Sequence, residues 1–197
     1  GPLRLLPQGL RAQPVVSGAT EAGDARDPGD RGRAVQTVLT TQLLPALRAA
    51  VADLGGDSDG TLVHTAPTTA SSGWPTNTAA ALVHHLCGVV TSWGAACLGG
   101  ESVDRDRTSE FSYAGPVGPE LDRLDLLVAR LPEWTAAALA RGDLAHPTGT
   151  AFDVDTARRS GTFTIDWVLA HILHDVSGHL GHLELTRDVL LARLERR

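Results

Sequence analysis

Residues 162–197 read TFTIDWVLAHILHDVSGHLGHLELTRDVLLARLERR. Val168, Leu169, Ile172, Leu173, Val176, Leu180, Leu183, Leu190 and Leu194 recur at spacings of three and four, the period of an α-helix with one buried arc. Thr162 or Thr164 supplies an N-cap, and the helix runs nearly to the last residue, where Arg193, Arg196 and Arg197 suit the negative end of its dipole. At about 100° per residue, His171, Asp175, His179 and His182 fall on one narrow stripe along the border of the apolar arc. His174 falls on the opposite side.

Three further helices precede this one. Val35, Val38, Leu39, Leu43, Leu47, Ala50, Val51 and Leu54 outline a first helix that stops at Gly55-Gly56, with Pro45 expected to kink it. A second runs from about Thr78 to Leu98, its apolar side formed by Leu82, Leu86, Val89, Val90 and Trp93. A third starts near Gly118-Pro119-Glu120 and continues through Leu121, Leu124, Leu127, Val128, Leu131, Trp134 and Leu139 to Gly142, bent at Pro132. No segment alternates with period two and none repeats. The expectation is an all-α four-helix bundle over residues 34–197, with connections too long and varied for a simple up-down arrangement. Residues 1–33, rich in Gly, Pro, Arg and Asp, read as an irregular N-terminal arm.

Composition narrows the chemistry. All 17 basic residues are arginine, so a Schiff-base lysine, a phosphate-loop lysine and a lysine general base are excluded. Such a lysine-free, alanine- and glycine-rich chain has the composition of a GC-rich, actinobacterial genome. The net charge of -6, with no cluster of arginines among aromatics, points away from nucleic acid. The two cysteines, Cys87 and Cys97, lie ten apart on one helix and are too distant to bond to each other. No apolar run is read as spanning a bilayer, and the expected setting is the cytoplasm, with the protein a monomer or a homodimer.

The histidine stripe is the strongest chemical signal. Asp175 and His179 are four apart and reach one point in a bundle interior. On the second helix His85 lies at the edge of the apolar side beside Leu82 and Val89, whereas His84 points away. His85, Asp175 and His179 thus form a His2Asp set with a vacant position, suited to catalytic zinc or a related first-row metal (nickel, iron or manganese). Taken singly, each histidine is more simply a solvated or hydrogen-bonded group, and His64, His146 and His174 are read that way. Four ionisable groups in one stripe beside a core are not explained so simply.

Two stretches also carry a family resemblance. Ser72-Gly73-Trp74 with residues 80–89 (AALVHHLCGV) resembles the segment before and through the second helix of DinB/YfiT-like proteins. Residues 171–188 (HILHDVSGHLGHLELTRD) are similar to the final helix of the mycothiol-dependent branch, and Arg107-Thr108-Ser109-Glu110-Phe111 to the linker between helices two and three. The resemblance covers roughly residues 35–197. It implies a DinB/YfiT-like four-helix bundle whose metal is held by one histidine of helix two and two ligands four apart on the last helix, by position His85, Asp175 and His179. Aspartate departs from the histidine or glutamate usual at its position. The resemblance further implies that His182 and Glu184 lie close to the thiol.

The activity expected from this resemblance is a metal-dependent mycothiol S-transferase of detoxification or secondary metabolism. Coordination to a dication turns a small-molecule thiol into a thiolate aimed at a small electrophile. His182 or His171 would take the released proton, and Glu184 and Arg187 would hold the sugar or acyl groups of mycothiol. The alternatives are a metal-dependent hydrolase or isomerase on the same scaffold, and a non-catalytic, stress-related metal-binding bundle.

Overall fold

The computed structural model describes residues 27, 29–56, 60–67, 76–145, 158, 159 and 161–196. Ser72-Gly73-Trp74, His146 and most of the expected N-terminal arm lie outside the described residues. Among the described residues there is no strand, and the helices make four rods. The first is α1 (Asp30–Val38) and α2 (Leu44–Asp53), joined by a π-helical stretch, Leu39–Leu43. The second is α3 (Ala79–Val90), which continues as π-helix over Thr91–Leu98. A short α4 (Arg107–Glu110) lies in the connection to the third rod, α5 (Val117–Ala129) and α6 (Leu131–Arg141). The fourth is α7 (Ile165–Leu194), capped by Thr164, whose hydroxyl accepts from Trp167 N at 3.1 Å.

Both prolines act as their chemistry requires. Proline has no N–H to give to the carbonyl four residues back, and its ring crowds that carbonyl. At Pro45 the backbone answers with the π-helical turns immediately before it, which widen the ladder without stopping the rod. At Pro132 the rod breaks: α5 ends at Ala129 and α6 restarts with the proline in its first turn, where the missing N–H costs nothing.

The first helix begins at Asp30, inside the segment read as an arm. Asp27 accepts from Gly29 N, and Arg33 pairs with both Asp27 and Asp30, which fixes the entry. Gly32 then sets the first turn against the third rod: a Cβ there would stand 2.7 Å from the Leu131 carbonyl oxygen and 2.8 Å from Pro132 Cα. This contact is tertiary, and local composition carries no trace of it.

The rods pack in the ring order first, third, second, fourth: α1 on α6, α5 on α3, α3 on α7, and α7 back on α2. Rods one and two, consecutive in sequence, are therefore diagonal, which is why a long connection is needed between them. Leu39, Leu47, Val51, Leu82, Leu86, Leu124, Leu131, Trp134, Ile172, Val176 and Leu183 fill the space between them. Burying each such side chain is worth about 1.5–3 kcal/mol.

The expectation that no apolar run is long enough for a bilayer is corrected here. The 20 residues Ala79–Leu98 are long and apolar enough by length and composition. However, 83% of the 18-residue apolar window within it is buried in the fold, so the apolarity belongs to a core-facing rod of the bundle. Its alanines and Gly88 let neighbouring helices approach on every side.

Candidate functional site

Thr78 starts α3 by accepting from Ala81 N at 3.1 Å, and about two turns later the chain places His84 and His85 on different faces. His84 turns to α5, where its Nδ1 lies 2.9 Å from Glu120 Oε2 and its ring stacks on Tyr113 at 4.1 Å. His85 turns inward and is 3% exposed. Its Nδ1 lies 2.6 Å from Glu110 Oε2. An ionised carboxylate can only accept, so Nδ1 carries the proton and Nε2 is the nitrogen left for a ligand.

Glu110 lies in the linker stretch that carries the family resemblance, but the sequence assigns it no role in the site. It comes from α4, whose first turn is pinned by Asp106 Oδ1 accepting from Thr108 N and Ser109 N at 3.0 and 3.2 Å. Arg105 grips the carboxylate as a fork, Nε to Oε1 at 2.6 Å and Nη2 to Oε2 at 3.0 Å, with both side chains 5% exposed. Phe111, the next residue, stacks on the His85 ring at 4.7 Å. Besides that linker stretch, a second sequence signal was Gly88, on the same face as His85. A mid-helix glycine among alanines and leucines costs about 0.5–1 kcal/mol, and such a position marks a close approach.

On α7 the His179 ring stands edge-on to His85, 4.7 Å between centroids. Burial, together with the neighbouring His85, depresses its pKa to about 4 despite the Asp175 charge, so the ring is neutral around pH 7. Asp175 faces the other way along its helix, with Oδ2 3.5 Å from His171 Nε2. His171 stacks on Trp167 at 4.8 Å and meets Trp93 edge-on at 4.7 Å; burial lowers its pKa although Asp175 opposes this. His182 follows His179, 6.4 Å away between centroids. Arg187 lies further along α7, shared between Asp188 at 2.9 Å and Asp53 of α2 at 3.5 Å, with Glu184 close enough to contribute to its field.

The structure thus brings His85 and His179 together and leaves Asp175 on His171. Among the described residues no three His, Cys, Asp or Glu side chains close around a metal position. The donor chemistry nevertheless fits a divalent cation: two imidazoles side by side, one neutral and one oriented by a carboxylate through its other nitrogen, with a carboxylate one turn from His179. A cleft of about 150 Å³ opens beside Gly88, Arg105, Glu110, His84 and Arg123, but no α7 residue lines it, so it is not the space at the histidine pair. Cys87 and Cys97 are free and buried, and burial raises both thiols, Cys97 to about 12, which removes them as nucleophiles.

These shifts have a consequence for acid stability in the metal-free protein. Burial alone would raise Glu110, but the hydrogen bonds from His85 and Arg105 and the Arg105 charge outweigh it and hold the carboxyl at about 2, against 4.5 unperturbed. Its stabilisation is complete above pH 4.5 and is lost as pH falls through 2. His179 acts in a higher window: from pH 6.5 down to about 4 the unfolded chain takes up a proton that the folded ring refuses, so stability falls there too. Urea midpoints against pH should decline in two stages. His179→Ala is expected to shrink the upper stage to what His171 contributes, and Glu110→Gln to remove the lower; a wild-type profile flat between pH 6.5 and 4 would contradict the burial of His179.

Among known families, the model described as Mycothiol-S-transferase matches residues 34–191. No curated protein matches the chain, and no solved structure does.

Proposed function

Because the chain belongs to the mycothiol S-transferase family, we propose that it joins the thiol of mycothiol to a small electrophile with the help of a divalent cation at His85, Asp175 and His179. The single observation that carries this reading is the meeting of His85 and His179 from two different rods, with His85 Nδ1 already committed to Glu110. Zinc suits this donor set best, and nickel, iron and manganese are compatible with it. The cation supplies the positive charge that makes a thiol ionise at neutral pH.

Each residue then has a task. Asp175, one turn from His171 and one turn from His179, swings from the first to the second to complete the set. His182 accepts the thiol proton at a ring nitrogen, the sulfur forms a bond to the electrophilic carbon, and the leaving group departs with the electron pair of the broken bond. His171, its ring held between Trp93 and Trp167, serves to hold Asp175. Glu184 and Arg187 bind the sugar and acyl groups of the cosubstrate.

The test uses protein purified without chelator or added metal. Metal analysis should return close to one transition-metal ion per chain, and mycothiol with a haloarene should be consumed faster than with metal-stripped protein. Metal far below one equivalent removes the reading. Metal present with unchanged thiol consumption favours a hydrolase or a non-catalytic bundle.

A further inference from the structure

We propose that Glu110 is a positioning residue, held by Arg105 and admitted by the bare Cα of Gly88, that fixes His85 as its Nδ1–H tautomer so that Nε2 is the ligating nitrogen. This deepens the proposed function and rests on its reading of His85 as a metal ligand, but none of the three residues belongs to the expected site. Three separate features of the chain converge on this one hydrogen bond.

The first is the fork. Arg105 donates to both carboxylate oxygens, at 2.6 and 3.0 Å, which sets the plane of the carboxylate as well as its charge. Oε2 still has a lone pair for His85 Nδ1. The second is the notch. A Cβ at Gly88 would stand 2.1 Å from Glu110 Oε1 and 3.1 Å from Arg105 Nε, so the carboxylate reaches His85 only because position 88 has no side chain. The third is the anchor: Asp106 caps the four-residue helix that ends in Glu110, and Phe111 packs on the imidazole it serves. An ion pair formed for stability alone would require neither the notch nor the imidazole. A ligating histidine, by contrast, gains from a carboxylate on its second nitrogen, which sets the tautomer and ring orientation and raises the basicity of the first.

The notch supplies a variant that displaces Glu110 while preserving the fold. Alanine favours helix over glycine, and the atom in its way is the end of a side chain, so Gly88→Ala should keep full helicity and push Glu110 off His85. Protein carrying ¹⁵N-histidine is prepared metal-free, and the ring nitrogens of His85 are read by ¹H–¹⁵N correlation in mildly alkaline solution. The expected result is a single Nδ1–H tautomer in the wild type and a mixed or Nε2–H ring in Gly88→Ala and Glu110→Gln. In parallel titrations with Zn²⁺ alone, both variants should bind roughly 10- to 100-fold more weakly than wild type. An Nε2–H ring in the wild type, or an unchanged tautomer in both variants, overturns the proposal, and the wild-type spectrum decides the first point without any substitution. If the tautomer behaves as expected and the wild type takes up no Zn²⁺, the hold of Glu110 on His85 stands and the metal reading is what fails.

Discussion

Replacing His179 by alanine is expected to abolish metal retention and to lower mycothiol consumption by roughly a hundred- to a thousand-fold, with helicity unchanged. A bound cation contributes several kcal/mol of charge stabilisation, and each 1.4 kcal/mol is a factor of ten in rate. His179 is the cleaner of the two histidines to remove. It is only partly buried and makes ring contacts with His85 and His182, so little packing is lost with it. His85→Ala should cost as much activity, but it also strips Glu110 of a buried hydrogen bond, an additional ~1–3 kcal/mol of stability. Metal content, thiol consumption and urea midpoint measured on both variants should separate accordingly: equal losses of metal and rate, unequal losses of stability. Metal retained in both would show that other residues ligate it.

Arg105→Ala is expected to be the most destabilising single change outside the apolar core, by about 3–5 kcal/mol, because it leaves the Glu110 carboxylate buried without its cation. Two comparisons make the cause visible in urea unfolding. Adding Glu110→Gln to Arg105→Ala removes the stranded charge and should recover a substantial part of the loss. Arg48→Ala should shift stability by no more than about 1 kcal/mol, since that arginine pairs with Asp122 and Asp125 on the surface, where its side chain is 40% exposed. Equal losses at Arg48 and Arg105 would mean that burial of the inner pair is not what sets its contribution.

The sequence carried the rods because their signals are local. The apolar spacing of α7, its Thr164 cap and the effects of Pro45 and Pro132 all act within one or two turns. His85 and His179 were legible for the same reason, as ionisable groups on the borders of apolar arcs. The side-chain direction of Asp175 was not, since a helical wheel places it one turn from His171 and one turn from His179 alike, and the choice between them is made by rotamer and packing. Glu110 was hidden more deeply. It is 25 positions from His85 on a separate four-residue helix, and nothing near it in sequence says that it turns inward to meet a glycine. The start of α1 was missed because it is stabilised by contact with α6 through Gly32, about a hundred positions away.

The apolar α3 and its π-helical extension also shape how this protein comes into being. Ala79–Leu98 is enclosed largely by α5 and α7, and both follow it in the chain. During synthesis at about 5–20 residues per second, the segment therefore waits roughly 5–20 seconds for α7 to be completed. Until then the nascent chain carries an apolar cylinder still open on the side that α7 will cover, long enough to attract a chaperone, another nascent chain or a lipid surface. Folding of this bundle is thus a race decided at its last helix, and truncation or slowed translation within α7 would be expected to yield aggregate in place of a partly active protein.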